Sequence, residues 1–281
     1  LVMKIKAYAK INLALDVLGV RDDGYHELRM IMVPLDFFDD MDISYSEQME
    51  YSSNRPYIFF DENNTIVKAF NIMKEEFGIK ENFKVVLNKM IPTQAGLAGG
   101  STDGAAIIKF LNVKYNLQLS DEKIKELCLK IGADVLFNYY SKPALVEGLG
   151  DKLTFIDIKD DYHVLLVKPK RGVSTKECYK KLDMDTCVHP DVDLILDKLK
   201  NGEDIKPYLK NSLEAPAIEL CKGIAKAKRD LEYAGADFTM VTGSGSTVYT
   251  IDRDLFKINQ LRKKMMNRGY FVRTCQILKS K

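Results

Sequence analysis

From Ile5 to Val17 the apolar residues occupy every odd position: Ile5, Ala7, Ala9, Ile11, Leu13, Leu15 and Val17. A period of two gathers them on one face of an extended chain, whereas a helix would scatter them around its axis, so a half-buried strand is predicted. Its opposite face carries Lys4, Lys6, Tyr8, Lys10, Asn12 and Asp16. Arg21-Asp22-Asp23-Gly24 reads as a turn, and Leu28 to Leu35 as a returning strand that stops near Pro34. The simplest arrangement is an antiparallel pair.

A strand pair with one apolar face must be covered, and the next segments supply the cover. After more strand around Met41 to Tyr45, Asn63 or Asn64 caps a helix with Ile66, Ala69, Phe70, Met73 and Phe77 at helical spacing, ended by Gly78. Phe83 to Leu87 is a short strand. Thr102 to Tyr115 returns to helix, with Ala106, Ile107, Phe110 and Leu111 facing inward, and Ser120 caps a third helix carrying Ile124, Leu127, Cys128 and Ile131. Around Asp151 to Asp161 the pattern loosens and charges accumulate, so a lobe boundary is placed there, dividing the chain into 1–155 and 156–281. The second lobe is predicted to hold strands at Val164–Val167, Phe238–Val241, Thr247–Ile251 and Tyr270–Ile277, and helices at Asp191–Leu199, Ala215–Tyr233 and Leu255–Asn267. The fold class is α+β in two lobes.

Composition limits the partners. Lys+Arg 42 against Asp+Glu 40 leaves a formal charge of only +2, so no chain-wide field marks a nucleic-acid or membrane partner. The five cysteines are scattered and never form a CxxC pair, which argues against a disulfide framework or zinc site and for a reducing, cytoplasmic setting. Leu1 to Lys10 lacks the apolar core of a signal peptide.

Between the predicted Phe83–Leu87 strand and Thr102–Tyr115 helix lies Pro92-Thr93-Gln94-Ala95-Gly96-Leu97-Ala98-Gly99-Gly100-Ser101-Thr102. Glycines admit an anion close to the backbone, and the amides and dipole of a helix start favour negative charge, so the stretch suits phosphate. It lacks the Gly-Lys-Ser/Thr of a Walker loop and the spacing of a dinucleotide fingerprint. Glycine content alone fits a flexible connection equally well.

In order, Ala9-Lys10-Ile11-Asn12-Leu13, this loop with its small-residue helix, and Thr242-Gly243-Ser244-Gly245-Ser246-Thr247 resemble the motifs of the galactokinase, homoserine kinase, mevalonate kinase and phosphomevalonate kinase (GHMP) superfamily. Gly24-Tyr25-His26-Glu27-Leu28 and Gly132-Ala133-Asp134-Val135 look like the diphosphocytidyl-methylerythritol kinases within it. The resemblance spans essentially the whole chain. It implies an S5-like first lobe and a ferredoxin-like second lobe, and ATP with Mg²⁺. The implied reaction phosphorylates the 2-hydroxyl of a small-molecule substrate with a cytidine diphosphate moiety, in non-mevalonate isoprenoid synthesis.

Taken alone, Asp134 is a turn residue after a helix and Lys10 an ordinary strand lysine. The resemblance makes Asp134 the catalytic base and Lys10 the cation that lowers the hydroxyl pKa and steadies the phosphoryl group. It implies that residues 92–102 hold the ATP phosphates, with Ser101 or Thr102 as hydroxyl contact. Substrate contacts fall to Asn12, to Tyr25 and His26 on the cytosine, to Tyr179 as a second aromatic, and to Gly243, Ser244 and Gly245. The magnesium ligands are not identified. The chain departs from the family pattern at Leu136, at Ser141-Lys142-Pro143 and at Thr93-Gln94-Ala95, all positions of turn geometry. A homoserine- or mevalonate-type kinase is the first alternative, opposed by Gly24-Tyr25-His26. A catalytically silent nucleotide-binding regulator is the second, opposed by the retention of Lys10 and Asp134.

Overall fold

The computed structural model describes residues 2–279 and contains two compact units. One comprises the chain through Ala9 together with Phe37–Pro92 and Ala98–Ser141; the other comprises Lys10–Asp36, Thr93–Leu97 and the chain from Lys142 onward. The opening strand β1 (Met3–Val20) and the strand paired with it, β2 (His26–Ser46), each lend residues to both.

In the first unit follow β3 (Glu50–Ser53), α1 (Thr65–Phe77), β4 (Asn82–Asn88), α2 (Gly99–Lys114), α3 (Asp121–Leu129) and α4 (Val135–Tyr140). Residues 40–46 of β2 run antiparallel to β4, and β3 runs parallel to β4 on its other side. The α1 helix has the caps expected of it. Asn64 accepts from the Ile66 amide and Gly78 ends it at φ 64°, while Ile66, Ala69, Phe70 and Met73 are buried. Its Phe70 stacks on Phe83 of β4 at 5.5 Å, and Phe83 meets Phe110 of α2 edge-on at 6.0 Å. The α2 helix begins at Gly99, ahead of the expected Thr102, and buries Asp103 and Gly104 together with Ala105, Ile107, Ile108, Phe110 and Leu111; Ala106, expected to face inward, is half-buried. At Gly104 a Cβ would lie 3.0 Å from Thr65 Cβ, so the close crossing of α1 and α2 requires glycine there. The α4 helix escapes sequence reading because Val135 to Tyr139 are all buried, leaving no periodicity in so short a segment.

The second unit adds β5 (Ala144–Gly148), β6 (Lys152–Phe155), β7 (His163–Lys168), α5 (Thr175–Lys180), α6 (Val192–Asn201), α7 (Glu214–Leu220), α8 (Lys222–Ala234), β8 (Met240–Val241), β9 (Val248–Asp252), α9 (Leu255–Met265) and β10 (Phe271–Gln276). Residues 28–32 of β2 pair antiparallel with β5, and β5 with β6. Pro34 therefore does not end β2 as expected. It lies between the residues that pair with β5 and those that pair with β4, where a missing amide loses no bond to either strand. The order β10-β7-β9-β8, all antiparallel, is a ferredoxin-like sheet: strand, helices, hairpin, helix, strand. The helix expected over Ala215–Tyr233 is two helices, because Cys221 is extended at φ −139°, ψ 92°.

The two faces of β1 depart from simple alternation. Lys4 and Lys6 are exposed as expected, but Lys10, Asn12 and Asp16 are buried at 4%, 1% and 7% exposure. A buried lysine and asparagine on a strand need partners, and those partners define the site.

Candidate active site

Lys10 Nζ donates to Asn12 Oδ1 at 2.8 Å, as two residues on one strand face can. The Asn12 backbone is held at both ends: its amide donates to Thr242 Oγ1 at 3.1 Å, and its carbonyl accepts from the buried Tyr249 hydroxyl at 2.8 Å. The Thr242 hydroxyl also lies 3.4 Å from the Gly96 carbonyl, and the Lys10 amide donates to Leu97 O at 3.2 Å. Three segments remote in sequence thus share one hydrogen-bonded cluster within the second unit.

The first half of the glycine-rich loop is fixed to the carboxy-terminal motif in the same way. Ser246 N donates to Gln94 O at 3.3 Å, and Thr247 N to Ala95 O at 3.2 Å. Asn211 steadies the motif from behind, donating to both Val241 O and Gly243 O at 2.8 Å. Gly243 and Gly245 take φ 56° and 84°, and Ser244 Oγ lies 2.9 Å from Thr175 Oγ1. At Gly96, φ 75°, a Cβ would overlap the Thr242 carbonyl oxygen, which is backbone and cannot step aside. Gly96→Ala is therefore expected to cost about 2 kcal/mol or more of stability in urea unfolding. Gly100→Ala, whose nearest neighbour would be Thr65 Oγ1 at 3.9 Å, should be almost silent in that measurement.

The second half, Ala98 to Thr102, belongs with Pro92 to the first unit. Ala98, at φ 58°, is the residue before α2 and offers no side chain to cap it, so the amides of Gly99, Gly100 and Ser101 make a ready anion site. Thr65 Oγ1 donates to Gly100 O at 2.5 Å and fixes this turn against α1. Gly99 is needed for a reason other than close phosphate approach: a Cβ would stand 3.0 Å from both Ile91 Cγ2 and Lys89 Nζ. Thr93-Gln94-Ala95 departs from the family pattern at a measurable cost. Gln94 holds φ 49°, a left-handed conformation worth about 1–2 kcal/mol against a residue with a Cβ.

That Lys89 belongs to a group the sequence does not reveal. Its Nζ, 3% exposed, donates to Asp39 Oδ2 at 2.5 Å and Asp103 Oδ2 at 2.6 Å. Asp39 Oδ1 in turn accepts from the amides of Met90 and Ile91 at 2.5 and 2.8 Å. The triad clamps the end of β4 to the second turn of α2, directly beneath the loop. Burial, opposed by Lys89 and reinforced by Asp39, pushes the Asp103 carboxyl up to about 8. No periodicity relates these positions, and only Asp103 adjoins the glycine-rich stretch.

Asp134 stands in the first unit, partly exposed, at the start of α4. Its carbonyl accepts from Asn138 N at 3.2 Å and Asn138 Nδ2 at 2.7 Å, while its carboxylate makes no capping bond to the helix. Leu136 is buried within that helix. Ser141 ends it in the left-handed region at φ 46°, a place a glycine fills more easily, and its hydroxyl donates to Asn138 O. Lys10 belongs to the second unit, as do Tyr25, His26 and Tyr179. Of these aromatics His26 and Tyr179 meet, ring centroids 4.7 Å apart. Successive residues of an extended chain point to opposite faces, which leaves Tyr25 66% exposed at the turn. Partial burial lowers the His26 pKa, keeping a neutral ring that can donate and accept. The α5 helix that carries Tyr179 had a legible signature: Ser174 and Glu177 in capping-box spacing, with Ser174 accepting from the Glu177 amide.

Comparison with known proteins gives a consistent family. Residues 64–142 match the GHMP kinases N terminal domain and residues 187–270 the GHMP kinases C terminal domain. The chain is 40% identical over 270 residues to 4-diphosphocytidyl-2-C-methyl-D-erythritol kinase of Clostridium beijerinckii, covering 93% of this chain and 96% of that one. It is 36% identical to the protein of the same name from Bacillus cereus, covering 96% of each. A crystal structure of 4-(cytidine 5'-diphospho)-2C-methyl-D-erythritol kinase superposes with a TM-score of 0.81 at 26% identity, over 97% of this chain and 99% of that one. Homoserine kinase from Cytophaga hutchinsonii, at 16% identity and a TM-score of 0.74, over 98% of this chain and 95% of that one, shares the fold.

Proposed function

The chain belongs to the GHMP kinases, and we propose that it transfers the γ-phosphoryl group of ATP to the 2-hydroxyl of 4-diphosphocytidyl-2-C-methyl-D-erythritol, on the non-mevalonate route to isoprenoid precursors. The observation that carries this reading is the Lys10–Asn12–Thr242–Gly96 cluster, in which the motifs of a phosphoryl-transfer enzyme are joined by their own hydrogen bonds. The identity to kinases named for that acceptor, along nearly their whole length, selects it among GHMP substrates.

In the mechanism we infer, the amides at the start of α2 and the Thr93–Leu97 backbone hold the ATP phosphates. Asp134 takes the proton of the attacking hydroxyl, and Lys10 lowers that hydroxyl's pKa and offsets charge on the transferring group. Asn12 orients Lys10 and the acceptor. The Ser101 or Thr102 hydroxyl would be the protein oxygen nearest Mg²⁺, which would neutralise phosphoryl charge. His26 and Tyr179 hold the cytosine with Tyr25, and Gly243, Ser244 and Gly245 lie along the acceptor. We assign residues 1–155 to the nucleotide and acceptor lobe and 156–281 to the carboxy-terminal lobe, a boundary within the gap between the two matched segments. A cytoplasmic setting accords with the five free cysteines; among the described residues no helix is long and apolar enough to cross a membrane.

The test is coupled ADP release with the diphosphocytidyl acceptor, mevalonate and homoserine in parallel. Turnover with the first alone supports the reading, and a preference for either simple alcohol rejects it. Because Tyr25 is so exposed, Tyr25→Ala should leave stability unchanged while raising the acceptor KM about tenfold, and should spare the ATP KM. A defect confined to ATP would move Tyr25 out of the acceptor site.

A further inference from the structure

Apart from the phosphate loop and its partners, three side chains of the second unit stand in the order nucleophile, base, orienter. Cys187 and His189 lie in the loop between α5 and α6, and Asp16 on β1. Asp16 Oδ1 is 2.6 Å from His189 Nδ1, and His189 Nε2 is 3.5 Å from Cys187 Sγ. An ionised carboxylate only accepts, so Nδ1 carries the proton and the lone pair of Nε2 faces the thiol. Asp16 is 7% exposed on a strand buried on both faces there, which fixes the orienting end of the relay. The other end is open: the His189 side chain is 50% exposed and Cys187 is partly exposed, whereas Cys128, Cys178, Cys221 and Cys275 are buried.

We propose that Cys187, with His189 as its base and Asp16 orienting the imidazole, is a modification site for soft electrophiles of the α,β-unsaturated carbonyl class. The sulfur attacks the β-carbon, a C–S bond forms, and the C=C π pair moves toward the carbonyl. The thiol proton passes to Nε2 and then to the α-carbon, so the adduct is a net addition that needs no oxidant and returns the imidazole to its neutral form. Burial, then the Asp16 carboxylate, pushes the Cys187 thiol up from its ordinary value, leaving little free thiolate. Base assistance is therefore what the site adds to the reaction. In the resting arrangement the thiol hydrogen can also point to Met184 O, 3.7 Å from Sγ, the competing acceptor.

The experiment labels the intact chain with limiting N-ethylmaleimide at pH 7 and follows each cysteine by peptide mass mapping, native and in urea. Cys187 should label first, and at least about tenfold faster in the native chain than in the unfolded one, since general-base assistance outweighs partial burial. His189→Gln should lower the native rate about tenfold and leave the unfolded rate unchanged. A native rate equal to or below the unfolded rate overturns the proposal, as does a native rate indifferent to His189→Gln. Should that variant fail to fold, the native-to-unfolded ratio of the unaltered chain decides alone.

Discussion

Asp134→Asn should lower kcat by about 10² to 10⁴-fold while the protein folds and binds both substrates. The fold should survive because the position is secured by its backbone: the Asp134 carbonyl holds Asn138 through two hydrogen bonds. An amide of the same shape keeps all of that but cannot accept the hydroxyl proton. Lys10→Met should be similarly slow, and the double variant far less than multiplicatively worse, since both residues act on one transition state. Retention of more than roughly a tenth of kcat in Asp134→Asn would remove Asp134 from the role of base.

The second large effect is on stability. Asp39→Ala should destabilise the chain by about 3 kcal/mol or more in urea unfolding, because it takes one of the two carboxylates from a buried ammonium, leaving Asp103 alone with it, and removes the acceptor of the buried Ile91 amide and the part-buried Met90 amide. Asp39 has 0% exposure, and Lys89, Met90 and Ile91 all depend on it. A loss below about 1 kcal/mol would show that water replaces the carboxylate freely. The same triad sets a pH dependence. With its folded pKa raised to about 8, Asp103 binds a proton in the folded chain that it releases when unfolded. The stability it contributes is full below the ordinary carboxylate range and declines until the folded pKa is passed. Relative to Asp103→Asn, the unaltered chain should lose stability between about pH 4 and pH 8, then run parallel to it.

What the sequence makes legible here is local or periodic. Alternation locates β1, the Asn64 and Gly78 caps bound α1, and glycine spacing marks both loops. Motif singles out Lys10 and Asn12, yet not the burial of Asn12, because the residues bonded to its backbone, Thr242 and Tyr249, come from the far end of the chain. Asp39, Lys89 and Asp103 meet only after β2, β4 and α2 have packed, and nothing in their spacing announces it. The pairings of His26 with Tyr179 and of Asp16 with His189 are tertiary in the same sense. Short elements buried all round, such as α4, lose the periodicity on which sequence reading depends.

The most direct measurement of the central claim is the proton-coupled phosphorus spectrum of the product formed from ATP and the diphosphocytidyl acceptor. Carbon 2 of a 2-C-methylerythritol bears methyl and hydroxyl but no hydrogen, so a phosphate placed there has no proton across the ester oxygen to couple with. On this account one new phosphomonoester singlet grows as ATP is consumed. A new monoester signal split by carbinol protons, or ADP release with no new ester signal, would contradict it.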